Sequence, residues 1–190
     1  MMDKDIVNFL FETGMLKHAK RSGWWLINVK DPENIAEHSF RTAIVGYFLA
    51  KMENVDADKV VSMCLFHDLH ESRVSDMNKV GQRYIDLKTA ERKVSKEQTA
   101  DLGDAGREIS ALNEELDKQK TKEAIVARDA DLVECAVQAK EYIDVGHKDA
   151  QNWIDNCKKY VVTESAKRLL SLVDKTSSND WWRGLKKTSR

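Results

Sequence analysis

Apolar positions recur at helical spacing along nearly the whole chain. From Asp3 to Arg21 they fall at Ile6, Phe9, Leu10 and Leu16, and Ser22-Gly23 marks a stop. A short irregular stretch, WWLINVKDP, follows; Pro32 suits a helix entry and keeps the residue before it out of the helical state. Glu33 through Met52 predicts a second helix whose broad apolar face carries Ile35, Ala36, Phe40, Ala43, Ile44, Tyr47 and Phe48. Asp56 is the expected N-cap of a third helix running through VVSMCLFHDLHE. That segment is apolar almost all round, which predicts a place at the centre of a bundle. Residues 73–86 read as a loop, 86–99 as a charged, weakly amphipathic helix, 102–106 (LGDAG) as a break and 107–119 as a further helix. Lys122 to Asp144 is strongly amphipathic. Asp149 to Asp174 reads as one long last helix with Trp153, Ile154, Cys157, Val161, Leu169 and Leu170 inside. The tail KTSSNDWWRGLKKTSR is polar except for Trp181 and Trp182, and its basic end is expected to fray.

Composition narrows the class. One proline and eight glycines are too few for the turns of an all-β domain, so the expectation is an all-α, single-domain helical bundle over 1–190, with a core at about 3–175 and a tail at 176–190. At 190 residues the chain can bury one sizeable core. No uninterrupted apolar run could span a membrane, and the N-terminal MMDKDIVNFLFE, with acids before a broken apolar run, does not resemble a signal peptide. The formal charge of −1, with bases interspersed among acids, argues against a nucleic-acid partner. Cys64, Cys135 and Cys157 are odd in number and far apart, with no CxxC pair. They read as reduced, buried thiols in a cytoplasm-like compartment rather than as zinc ligands.

The chemistry concentrates in FHDLHE, residues 66–71. Residues four apart share a helix face, so His67 and Glu71 can enter one cavity with Asp68 on its flank. Imidazole with carboxylate is the usual shell of a catalytic divalent metal. His38, in IAEHSF, and Asp129 or Asp131, in VARDADLVECA, supply further candidates from other helices. Each has a bland reading. A lone histidine on an apolar face is commonly a satisfied core residue, an HD dipeptide occurs by chance, and Asp129 suits the first turn of a helix. His70 has a helical offset from His67 and fits a surface or supporting role. The combination weighs more, because buried ionisable groups are costly unless paired or metal-bound, and several fall here on the most apolar helices.

The pattern H…HD…D on a helical bundle resembles the HD-domain superfamily of metal-dependent phosphohydrolases. RSGWWL, ENIAEHSFRTAIVGYFLA, CLFHDLHESRVSD and DADLVECAVQAKEY, in that order over roughly residues 10–145, resemble its 5′-deoxynucleotidase branch, which removes phosphate from deoxynucleoside monophosphates. The resemblance implies a metal shell of His38, His67, Asp68 and Asp131. Asp131 is preferred to Asp129 because it stands seven residues before the glutamine of a QAxEY string, here Gln138 to Tyr142. It further implies catalysis by Glu71, sugar sensing by Asp76 and phosphate contact by Arg21, with Lys20 in competition. Similar bacterial proteins place an Arg-Trp pair where this chain has Arg-Ser-Gly-Trp.

The expected cofactor is one divalent ion: manganese, iron, cobalt, nickel or zinc, since the absence of softer ligands disfavours copper(I). Asp68 would also orient the attacking water, and Glu71 would donate a proton to the leaving 5′ oxygen or position the water. Arg21 would fork onto the phosphate, and Trp24 would pack on the base or close the core. The substrate class is a nucleotide. The alternatives are another phosphohydrolase of the superfamily, acting on cyclic nucleotides, triphosphates or other phosphomonoesters, and a non-catalytic helical interaction module with a vestigial or structural metal site. The resemblance implies a homodimer, with Trp181, Trp182 and the 149–174 helix as the candidate surface; both tryptophans could equally cap the monomer's own core.

Overall fold

A computed structural model describes residues 2–185. All regular structure among them is helical. The longer helices are α1 (Asp3–Thr13), α2 (Ile35–Glu53), α3 (Ala57–Phe66), α5 (Leu87–Thr99), α6 (Gly103–Lys118), α7 (Lys122–Asp144), α8 (Gln151–Tyr160) and α9 (Glu164–Val173); α4 (Glu71–Val74) is a single turn. No described helix is long and apolar enough to cross a membrane.

The starts follow side-chain capping. Asn34 accepts from the Glu37 amide while Glu37 reaches back to the Asn34 amide, and the side chains of Asp56, Thr121 and Thr163 accept from first-turn amides of α3, α7 and α9. The core lies between α2, α3 and α7, where Leu49, Ala50, Val60, Met63, Ala130 and Ala136 are buried. Small residues allow that approach. A Cβ added to Gly46 on α2 would stand 2.7 Å from Cys64 Sγ on α3.

Several helix boundaries need correction. The break expected at 102–106 closes early, because α6 begins at Gly103. The first helix ends at Thr13, and a 3-10 turn over Gly14–Lys17 follows. The third helix stops at Phe66, and residues 67–70 turn before α4 begins at Glu71. His67 and Glu71 therefore do not share a continuous helix. The helix expected over Asp149–Asp174 is broken between Tyr160 and Glu164. Asp129 causes that break: its carboxylate accepts from the amides of Val162 and Thr163 and from the Thr163 hydroxyl.

The face of α2 is also reassigned. Its buried residues are Ile35, His38, Ser39, Thr42, Gly46, Leu49 and Ala50, while Phe40 is 66% and Phe48 59% exposed. In the tail, Trp182 Nε1–H donates to Asn179 and Trp181 stands exposed; the basic end expected to fray lies outside the described residues.

Candidate metal centre

His38 projects from the buried side of α2, His67 and Asp68 from the turn after α3, and Asp131 from α7. The helix end at Phe66 has a local cause: His67 folds back so that its Nδ1 meets the Cys64 carbonyl at 2.8 Å. His38 is held likewise. Its Nδ1 lies 2.5 Å from Glu134 Oε2 on α7. With Nδ1 engaged by an acceptor, each ring in its neutral form carries its proton there and presents the Nε2 lone pair inward.

Those two Nε2 atoms are buried and make no hydrogen bond of acceptable geometry. His38 Nε2 is 3.3 Å from Asp131 Oδ1 and 3.7 Å from Asp68 Oδ2, and His67 Nε2 is 3.2 Å from the same Asp68 oxygen. The ligand atoms of His38, His67 and Asp68 all lie within 4.8 Å of one another. A buried polar atom without a partner is costly. Two of them aimed at two carboxylates fit a divalent cation. The donor set of neutral imidazole and carboxylate suits the same ions as the sequence does.

The electrostatics agree. Burial and Arg21 oppose protonation of His38, yet contact with the Asp131 and Glu134 carboxylates outweighs them and carries it up to about 10. Burial pushes His67 down. Despite burial, His67, His38 and Arg21 hold Asp68 below the usual carboxylate range, and contact with His38 together with the Arg128 charge holds Asp131 well below it. The cavity thus favours one positive charge at the place where the rings and carboxylates meet, a place a cation would take with release of the proton.

Glu71, at the start of α4, is buried, and its Oε2 has no partner. Burial first, then the Asp68 and Asp76 charges, raises its carboxyl well above the ordinary value. Its surroundings favour the protonated form of this carboxyl. Asp76 Oδ2 accepts from the Ser22 amide at 2.5 Å, which ties the segment after α4 to the Arg21–Ser22 turn. The Arg21 guanidinium lies 3.8 Å from Asp68 and 3.9 Å from Glu33, beyond hydrogen-bond length to either. Lys20 instead turns outward, donating to the Pro32 carbonyl and pairing with Asp31. Asp129 points away from the centre to the start of α9, and His70 faces Glu91 at 3.6 Å.

Trp24 is corrected to a core residue. It is 1% exposed, stacked on Trp153 with Tyr142 at its edge, and its Nε1–H donates to Glu33. No face of the ring is open to a base. Sequence reasoning missed Glu134, Arg41 and Glu33. Arg41 donates to Glu134, Glu141 and Gln138. The available signal was spacing: Glu134 stands one turn after Asp131 on α7, and Arg41 one turn after His38 on α2.

The comparisons agree with this geometry. The HD-domain family profile matches residues 13–172. A protein of Dictyostelium discoideum named 5′-deoxynucleotidase HDDC2 is 35% identical over 149 residues, covering 71% of this chain and 76% of that protein. The human protein of the same name is 30% identical over 147 residues, covering 76% of this chain and 72% of its own. Among solved structures, a conserved hypothetical protein from Pyrococcus furiosus superposes with a TM-score of 0.76 at 26% identity, covering 90% of this chain and 99% of that one. On fold, residue pattern and relatives, the chain belongs to the HD-domain family.

Proposed function

We propose that this protein is a metal-dependent phosphohydrolase, a 5′-deoxynucleotidase that cleaves deoxynucleoside 5′-monophosphates to deoxynucleoside and phosphate. The observation that carries the reading is the pair of buried, unpartnered Nε2 atoms of His38 and His67 facing Asp68 and Asp131. The relatives named 5′-deoxynucleotidase support the substrate class.

His38, His67, Asp68 and Asp131 would hold one divalent ion, which when bound lowers the pKa of a water and neutralises charge on phosphoryl oxygens. Asp68 accepts from the attacking water and sets its direction. Glu71, whose carboxyl is raised by burial and by the neighbouring carboxylates, donates to the departing 5′ oxygen. Arg21 offers its planar fork to the phosphate. Asp76, anchored by the Ser22 amide, would be the group that tests for a 2′ hydroxyl. Three free thiols, two of them buried, fit a cytoplasm-like compartment. A homodimer belongs to the same proposal.

The test is phosphate release from a panel of deoxy- and ribonucleotides with added manganese or cobalt. Deoxynucleoside monophosphates should be the preferred substrates. His67→Ala and Asp68→Ala should each lose roughly a thousandfold in rate, the several kcal/mol of charge stabilisation that a catalytic metal supplies. Full activity in either variant would falsify the assignment. A purified protein that neither contains nor takes up a divalent ion would favour a helical interaction module.

A further inference from the structure

The outward side of α2 carries an unusual concentration of exposed apolar side chains. Phe40 is 66% exposed, Ile44 43%, Tyr47 45%, Phe48 59% and Met52 41%. Tyr47 and Phe48 meet edge to face, and the Lys51 ammonium stands 5.4 Å from the centre of the Tyr47 ring. At about 200 Å² per large side chain these fractions amount to roughly 500 Å² of apolar surface. That is at the upper end of what a monomer leaves open.

The order of residues on this face is self-complementary. Taking Ile44 as centre, Phe40 and Phe48 lie four residues to either side, and Glu37 and Lys51 lie seven to either side. A copy of the same helix laid antiparallel on it sets Ile44 on Ile44, Phe40 on Phe48 and Glu37 on Lys51. Both ends then meet with opposite charge. This is the mark of an isologous two-fold contact, in which each residue meets the residue that meets it. A shallow crossing near 20° keeps the ends in reach at the usual 8–10 Å between axes. Two such faces bring together roughly 1,000 Å² from these five side chains alone, close to the lower bound of about 1,200 Å² for a stable interface before Glu37, Arg41 and Lys51 are counted.

The other exposed apolar helix lacks this property. On α1, Val7, Leu10 and Phe11 are open, but the first turn holds Asp3 and Asp5 and the last turn has no base. An antiparallel self-pair there could set only Lys4 on Glu12, and the Glu12 carboxylate is already held by Arg73 and Gln98.

We infer that the outward face of α2 is a two-fold interface on which a second copy of this chain packs antiparallel about Ile44, with Phe40 against Phe48 and Glu37 against Lys51. The inference rests on the homodimer reading and deepens it by naming the surface. It replaces the tail and the 149–174 segment as the place of contact. The same helix presents His38 on its opposite side, so the interface lies one helix diameter from the candidate metal centre.

Sedimentation velocity on the full chain at micromolar concentration tests it. The wild type should run as a dimer. Ile44→Asp places two carboxylates on the two-fold axis and should weaken association at least about a hundredfold, giving a monomer with an unchanged helical circular dichroism spectrum. Lys51→Glu opposes like charges at both ends and should weaken it about tenfold. Adding Glu37→Lys to Lys51→Glu restores the pairing and should recover most of the loss, a rescue that a merely destabilised fold does not show. A wild-type monomer overturns the homodimer reading and the inference together. A dimer that persists in Ile44→Asp, whether or not Phe11→Asp on α1 dissociates it, overturns the α2 surface and leaves the homodimer standing.

Discussion

Glu134 touches no substrate in the proposed reaction, yet its loss should be felt at the metal. Its Oε2 is 2.5 Å from His38 Nδ1, while its Oε1 accepts from Arg41 Nε at 2.8 Å, all without solvent exposure of the carboxylate. The carboxylate fixes which ring nitrogen carries the proton, and Arg41 fixes the carboxylate. Glu134→Gln keeps the shape but removes the charge. Its amide can offer an oxygen to only one of the two donors, so either His38 or Arg41 faces a nitrogen. Partners of this kind are worth roughly 10–100-fold in metal affinity, which is about 1.4–2.7 kcal/mol. Arg41→Met should cost less, because the His38 contact survives. The assay is a competition titration of metal-free protein with a chromophoric chelator, using manganese or zinc alone, with a thermal melt to confirm the fold. A dissociation constant within twofold of wild type in Glu134→Gln, alongside a clear loss in His38→Ala, would refute the argument that the Nδ1 partner sets the ligand.

Two further outcomes follow from packing and from charge. Gly46→Ala should destabilise by about 1–3 kcal/mol in urea titration, although alanine is the better helix former by about 1 kcal/mol, because the new Cβ would meet Cys64 Sγ at 2.7 Å; adding Cys64→Ala should return most of it, and a neutral single substitution would sink the close-packing account. Asp144 accepts from the Ser178 amide and pairs with Lys140, and these contacts, the amide first, bring its carboxyl down to about 2. A depressed carboxyl stabilises the fold above its ordinary value near 4 and loses that contribution as pH falls towards 2. Trp181–Trp182 fluorescence should therefore change between pH 4 and 2 in wild type and be already shifted at pH 6 in Asp144→Asn; identical profiles would refute the tether.

Much of the architecture can be read from the residues. The bounds expected for α7, Lys122 to Asp144, are those observed, and Asp56 and Asp86 mark the starts of α3 and α5. The four groups His38, His67, Asp68 and Asp131 are chemically conspicuous because they interrupt apolar helices. The misses share a physical origin in contacts between residues far apart in sequence. Nothing local in KKYVVTESA says that Asp129, more than thirty residues earlier, will take the amides of Val162 and Thr163 and part α8 from α9. Apolar spacing continues across Val161, so the run reads as one helix. At α3 the periodicity continues past Phe66, so a turn held by the His67 ring on the Cys64 carbonyl reads as unbroken helix. On α2 hydrophobicity pointed the aromatic side inward, whereas the buried side is the one with His38, Ser39, Thr42 and Gly46, chosen by close approach and by chemistry.

Asp129 and Asp131 stand two residues apart on α7 and serve opposite neighbours, the first seizing the entrance to α9 and the second joining the histidines. The rod is thereby locked in azimuth from two sides. One inserted residue upstream would spin everything beyond it by about 100°, throwing the anchor and the ligand out of place together. Length changes in this stretch should accordingly be lethal to both architecture and chemistry, while the largely exposed stretch at 79–85 can absorb them.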